Sequence, residues 1–231
     1  MKIALLVIAT GQRYRDFARQ MMASAKQFLF PHDVIIFTDE VREFQDIENV
    51  IPVEYTFQGF PEASYRRYHA FVQAKDLLLN YSYVYYCDSD MRWVAPVTQD
   101  EITANGIVAT YHPGYFKGRG TPELRPESTA YCPEPRFYAC GGFQGGSSQA
   151  FVRMSEEIAR RIDIDDANGI RAIWVDESQF NRYLFDYPPA RILTPAFCYP
   201  EDNLAHYRNV WAHAGVSDFD PKLMALTKKS C

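Results

Sequence analysis

Two pairs of carboxylates stand out in this chain. In "VYYCDSDMRWV", Asp88 and Asp90 lie one residue apart at the end of an aromatic and β-branched run, and in "WVDES" Asp176 and Glu177 are adjacent. In a strand, residues i and i+2 face the same way, so the pattern converges Asp88 and Asp90 and turns Ser89 away. Carboxylates that close repel unless a cation lies between them. Hard oxygen ligands suit magnesium or manganese, whose remaining positions are filled by water and phosphate oxygens. The plainer alternative is a solvated strand end with two surface aspartates. The second pair opens an expected helix, with Asp176 as N-cap and Gln179 at the N3 position of a capping box. The helix dipole favours the charged form of a first-turn carboxylate, which fits Glu177 to stabilise or attack a cationic centre. Taken alone, this pair is ordinary capping before it is anything catalytic.

Between the pairs lies "CGGFQGG", residues 140–146. Paired glycines allow a ligand close to the backbone, and they equally suit tight turns. The spacing is not Gly-x-Gly-x-x-Gly after a strand, which excludes the dinucleotide-binding fingerprint. "HPGYF" places His112 beside aromatics and a turn, as the wall of a sugar pocket or as plain structure.

These groups need a frame, and the pattern supplies one. Lys2 to Ile8 is nearly continuous apolar sequence, as in a parallel strand covered on both faces. Helical spacing follows from Tyr14 to Phe30, closed by Pro31, and Val34 to Thr38 reads as a second strand. A helix from Arg66 to Leu79 leads into the strand that carries Asp88 and Asp90. Residues 106–146 are rich in proline and glycine and read as long loops with short strands. Helices follow from Ser147 to about Ile162 and from Asp176 onward. Alternating strands and helices imply an α/β fold with a mostly parallel sheet, whose ligands bind beyond the carboxyl ends of the strands. No linker or repeat divides the 231 residues, so one domain is expected.

Composition narrows the class. With 47% hydrophobic and 15% aromatic residues, the chain has a core to build and is not disordered. A net charge of -5 argues against a nucleic-acid binder that works through a general basic field. The five cysteines, Cys87, Cys132, Cys140, Cys198 and Cys231, show no metal or redox spacing. Reduced thiols in a cytoplasm-like compartment are the expectation. The first apolar run is too short to span a bilayer.

In order along the chain, "ATGQRY", "FTD", "SYRRY", "CDSDM", "HPGYF", "RPESTAY", "FYACGGFQGGS", "ANGIRAIWVDESQFNRYL" and "LTPAF" resemble one family. It is glycosyltransferase family 6, the retaining α-1,3-galactosyl and N-acetylgalactosaminyl transferases that include the histo-blood-group A and B enzymes. The resemblance runs from the first strand to about residue 200 and gives "WVDES" a role beyond capping.

The resemblance implies a GT-A fold in a single domain, residues 1–95 serving the nucleotide and 96–231 the donor sugar and acceptor. It implies a UDP-sugar donor and manganese, or magnesium, held by Asp88 and Asp90. Ala9, Thr10 and Tyr14 match the uridine pocket, with Gln12 as a one-residue insertion. Arg67 matches the arginine that contacts the donor sugar, Asp176 its partner, and Glu177 the nucleophile or cation stabiliser. His112, Thr121 and Trp174 match positions around a galactoside acceptor, fucosylated in some members, and Glu201 stands for an acidic acceptor residue in a stretch that does not align. Cys140, Gly141 and Gly142 match the stretch that separates donors, and Gly142, where B-type enzymes carry alanine, implies N-acetylgalactosamine over galactose. Val175 departs from the family's histidine. Lys222, Lys228 and Lys229 stand in for the basic tail that closes over the diphosphate. The vertebrate Golgi anchor and stem are not matched, which implies a soluble cytoplasmic form from a bacterium or a virus-infected cell. Other readings are a sugar nucleotidyltransferase, a non-catalytic carbohydrate binder and a phosphohydrolase. The first needs a Gly-rich basic signature after the first strand, which "ATGQRYRDF" does not provide, and the last needs its aspartates on that strand.

Overall fold

The computed structural model describes residues 1–57, 59 and 61–227. The apolar run at the amino terminus becomes β1 (Ile3–Ala9), buried along its whole length. Its alternation feeds two cores. Ile3, Leu5, Val7 and Ala9 join Ala18, Met21 and Ala25 of helix α1 (Gln12–Phe28) on one face of the sheet. Ala4, Leu6 and Ile8 pack into the second cluster on the other face. The chain continues through β2 (Asp33–Thr38), β3 (Val50–Glu54) and three short helical pieces, α2 (Glu62–Tyr65), α3 (Arg67–Gln73) and α4 (Lys75–Leu78). Then come β4 (Tyr83–Cys87), β5 (Met91–Trp93), α5 (Gln99–Ile102), β6 (Ile107–Thr110) and β7 (Phe143–Ser147). The long α6 (Ser148–Ala167), α7 (Val175–Asp186), β8 (Arg191–Leu193), β9 (Tyr199–Pro200), α8 (Leu204–Ala212) and β10 (Leu223–Ala225) complete the described elements.

Seven strands form the main sheet in the order β3-β2-β1-β4-β7-β6-β8, and β5-β10-β9 form a small second one. β1 pairs in parallel with β2 and β4, whereas β7 runs antiparallel to both β4 and β6. Tyr68 and Phe71 of α3 and Phe151, Met154 and Ile158 of α6 cover the face opposite α1. The architecture is the expected α/β sheet, mostly parallel and flanked by helices. Among the described residues no helix is long and apolar enough to cross a membrane.

Three local expectations are corrected. The helix expected over residues 66–79 is interrupted at Ala74, whose φ of -93° and ψ of 10° separate α3 from α4. Asp88 and Asp90 are not on a strand. β4 stops at Cys87, and the chain turns through both aspartates before β5 leaves for the second sheet. Helix α7 starts at Val175, with Trp174 in the N-cap position and Asp176 already in the first turn. The capping role falls to Ser178, whose hydroxyl accepts the Trp174 N–H at 3.0 Å, while Gln179 turns inward to Thr129 and Asp165.

Candidate active site

Beyond the carboxyl ends of β1 and β4 opens a cavity of about 1020 Å³. Thr10, Tyr14, Arg67, Asp88, Asp90, Trp174, Asp176 and Glu177 all line it. Each is delivered by the end of an element: Thr10 follows β1, Tyr14 sits in the first turn of α1, Arg67 opens α3, the two aspartates follow β4, and the second acidic pair opens α7. Both acidic pairs therefore meet in one space, although they are far apart in sequence.

Arg67 is the hub. Its guanidinium is almost fully buried, with Nε 2.8 Å from Asp176 Oδ2 and Nη1 3.5 Å from Asp88 Oδ1. Nη1 also donates to the Gly141 carbonyl at 3.0 Å, and the Tyr86 ring lies 4.6 Å from the guanidinium carbon. Burial works against the Arg67 charge, and Asp176, Tyr86 and Asp88 more than restore it. Burial likewise pushes the Asp176 carboxyl up, against the pull of Arg67.

Glu177 is held from the side of the glycine-rich segment. Its Oε2 accepts the Gly141 N–H at 2.9 Å. Burial raises the Glu177 carboxyl, while the Gly141 N–H, the Tyr138 hydroxyl and Arg67 draw it back toward ionisation. Gly142 faces the other pair: a β-carbon there would stand 3.1 Å from Asp88 Oδ2 and 3.4 Å from Met91 Sδ. The remaining glycines of this motif have a different task. A β-carbon on Gly145 would stand 2.4 Å from the Val84 carbonyl, and one on Gly146 would stand 2.0 Å from that of Gly106, so they permit the close pairing of β7.

Two carboxylates of one turn, Asp88 and Asp90, reach the cavity. Asp88 Oδ1 is engaged by the Tyr86 hydroxyl at 2.6 Å and by Arg67. Among the described residues there is no cluster of three or more histidines, cysteines, aspartates or glutamates shaped to hold a metal ion. Asp88 and Asp90 are the hard oxygen donors here that could hold a divalent cation, whose other positions phosphate oxygens and water would fill.

The other expected residues do not line this cavity. Ala9 ends β1 inside the core, and Cys140 is buried next to Gly141. His112 packs against the Tyr138 ring with centroids 5.9 Å apart, and Thr121 meets the Tyr138 hydroxyl. Burial pushes His112 down to about 4, and its Nδ1 accepts the Gly114 N–H at 3.1 Å, which puts the ring proton on Nε2. Glu201 lies apart from the cavity lining and accepts the Thr227 N–H at 2.7 Å. Lys222 bonds the Pro96 carbonyl at 2.8 Å, and Lys228 and Lys229 lie outside the described residues. Cys87, Cys132, Cys140 and Cys198 are free thiols, all buried.

Two residues of the site went unread in the sequence. Tyr86 stands two residues before Asp88, and strand alternation could have placed both on one face. Tyr138 had no comparable signal, because its neighbours come from distant loops.

This arrangement is an α/β sheet with an acidic, arginine-bearing cavity beyond its strand ends, and the comparisons with known proteins define the family. The profile of glycosyltransferase family 6 matches residues 1–211, and the chain belongs to that family. It is 29% identical over 215 residues to the histo-blood group ABO system transferase 1 of Rattus norvegicus, covering 86% of this chain and 61% of the rat protein. It is 27% identical over 221 residues to the globoside alpha-1,3-N-acetylgalactosaminyltransferase 1 of Gallus gallus, covering 87% of this chain and 62% of that one. A shorter match, 33% over 84 residues, links it to the human alpha-1,3-galactosyltransferase 2, covering 34% of this chain and 25% of the human protein. The chain spans less than two thirds of the length of these relatives.

Proposed function

We propose that this protein is a retaining glycosyltransferase that moves N-acetylgalactosamine, or galactose, from a UDP-sugar to a galactoside hydroxyl in α-1,3 linkage. The observation that carries the reading is the cavity at which Arg67, Asp176 and the Gly141 amide surround Glu177 while Asp88, in one turn with Asp90, stands beside Gly142. Family membership supports the donor class. The names of the chicken and human relatives support an α-1,3 linkage with N-acetylgalactosamine or galactose as the sugar.

The division of labour follows from charge. Breaking the donor's glycosidic bond sends negative charge to the diphosphate and positive charge to the sugar. Thr10 and Tyr14 bind the uridine end, and Arg67 offers a fixed positive charge where the sugar meets the phosphate. Manganese or magnesium, bound by Asp88 and Asp90, would neutralise charge on the leaving diphosphate. Glu177, half-buried in the cavity wall, stabilises or traps the positive anomeric carbon, and the acceptor hydroxyl then enters on the face that UDP left. Trp174, His112 and Thr121 stand around the acceptor, and the smallness of Gly142 admits a 2-acetamido group. The nucleotide groups come from residues 1–95 and the sugar groups from 96–231, apart from Arg67.

The test is transfer from UDP-N-acetylgalactosamine and UDP-galactose to fucosylated and unfucosylated galactosides, with and without a chelator. UDP release and the anomeric configuration of the product are the readouts. Acceptor-dependent release that stops on chelation and a product with retained configuration are expected. No transfer to any galactoside, or full turnover in chelator, overturns the reading of the substrate or of Asp88 and Asp90 respectively.

A further inference from the structure

The segment Tyr138–Gly141 is fastened to α7 by two side chains, Asn181 and Glu177. Asn181, one turn beyond Glu177, accepts the Ala139 N–H at 2.8 Å and donates to the Ala139 carbonyl at 2.9 Å. The same amide donates to the Glu177 carbonyl at 3.0 Å. Staple and carboxylate thus belong to one helix turn. Gly141 closes the far end of the segment by its N–H to Glu177 Oε2.

Tyr138 closes the near end. Its side chain is buried and its ring is caged: centroids lie 5.4 Å from Tyr115 and 5.9 Å from His112. On another side stands Gly120, where a β-carbon would come within 2.2 Å of the Tyr138 ring. The hydroxyl stands near the Glu177 carboxylate and Thr121 and has no hydrogen-bond partner. A buried hydroxyl in that state costs free energy unless a small movement closes it. The groups that face Glu177 are Tyr138, Arg67, Asp88 and its neighbour Asp176, with Tyr68 and Cys198 further off. Of these, Tyr138 offers a neutral hydroxyl from a caged ring.

We infer that Tyr138 is a positioning residue: its hydroxyl donates to Glu177 during turnover and, with the Gly141 N–H, fixes the carboxylate against rotation in front of the donor sugar. The inference rests on the reading of Glu177 given above. A carboxylate free to rotate presents its oxygen to the reacting carbon for only part of the time, and loss of a fixed orientation lowers kcat without weakening the donor complex. Gly120 belongs to the same device, since any larger residue would displace the ring.

The experiment compares Tyr138→Phe with two synthetic residues at 138. 4-Fluorophenylalanine fills the hydroxyl's space without a proton, and 3-fluorotyrosine keeps the donor. Tyr138→Phe and 4-fluorophenylalanine should lower kcat by about 10- to 100-fold. UDP affinity and the KM for the UDP-sugar should stay within about twofold, and 3-fluorotyrosine should restore most of kcat. An unchanged kcat in 4-fluorophenylalanine protein overturns the inference. So does a parallel loss of kcat and UDP affinity, the mark of a merely structural ring. Glu177→Gln is measured alongside. If it is inactive while the residue 138 variants run at full rate, only Tyr138 loses its role; if it runs at full rate, the reading of Glu177 falls and takes the inference with it.

Discussion

Arg67 and Asp176 form an ion pair of 2.8 Å in which only 6% and 2% of the two side chains remain exposed. Such a pair is expensive to desolvate, and removing one partner leaves the other charge buried alone. Arg67→Met and Asp176→Leu are therefore each expected to destabilise the fold by about 3–5 kcal/mol, and the double substitution by less than either. Urea unfolding of the three proteins measures this. Equal, additive losses would show that the pair is not coupled.

A separate outcome concerns the donor sugar. An alanine at 142 would put its methyl group 3.1 Å from Asp88 Oδ2 and against the flexible Met91 sulfur. Gly142→Ala should thus lower kcat/KM for UDP-N-acetylgalactosamine relative to UDP-galactose by about tenfold, the range that one methyl group decides. The ratio isolates the sugar, since crowding of Asp88 affects both donors. An unchanged ratio would remove Gly142 from donor selection.

Acid stability should depend on Glu123. Its buried carboxylate accepts Arg125 Nη2 at 2.7 Å, Arg125 Nε at 2.9 Å and the Ile173 N–H at 2.8 Å, which ties the loop after Gly120 to the residue before Trp174. The Arg125 side chain, helped by the two backbone N–H groups, holds Glu123 down at about 2 against burial. A depressed folded-state value contributes stability that is complete above the unfolded value, near 4.3, and is lost as pH falls toward 2. Half of the Arg125 side chain is exposed, so salt screens part of the effect. Urea midpoints between pH 6 and 2.5 should fall more steeply for the natural protein than for Glu123→Gln. Parallel slopes would assign the acid transition to other carboxylates.

The legible part of the site was the part written in local pattern. Asp88, Asp90, Asp176 and Glu177 could be picked out because acidic pairs beside a buried strand and at a helix start are exceptions to their surroundings. Even so, their geometry was misread: strand alternation aligned Asp88 with Asp90, whereas the chain turns there to start a second sheet. Asp176 read as a helix cap and stands inside the first turn, because Ser178 takes the capping bond. Arg67 carried no local sign of being buried, since nothing within a helix turn foretells three partners from other elements.

The sequence by itself determined β1, β2, β4, the helices α1, α6 and α7 and the residue types gathered at the site, because hydrophobic periodicity and the residue types at element ends act over a few residues. Tertiary structure alone decided the contacts that make the chemistry workable. Arg67 reaches the Gly141 carbonyl across 74 residues, and Glu177 takes the Gly141 N–H across 36. Those bonds exist because the order β1-β4-β7 in the sheet brings the ends of separate strands to one edge, where burial raises the cost of any charge left unpaired.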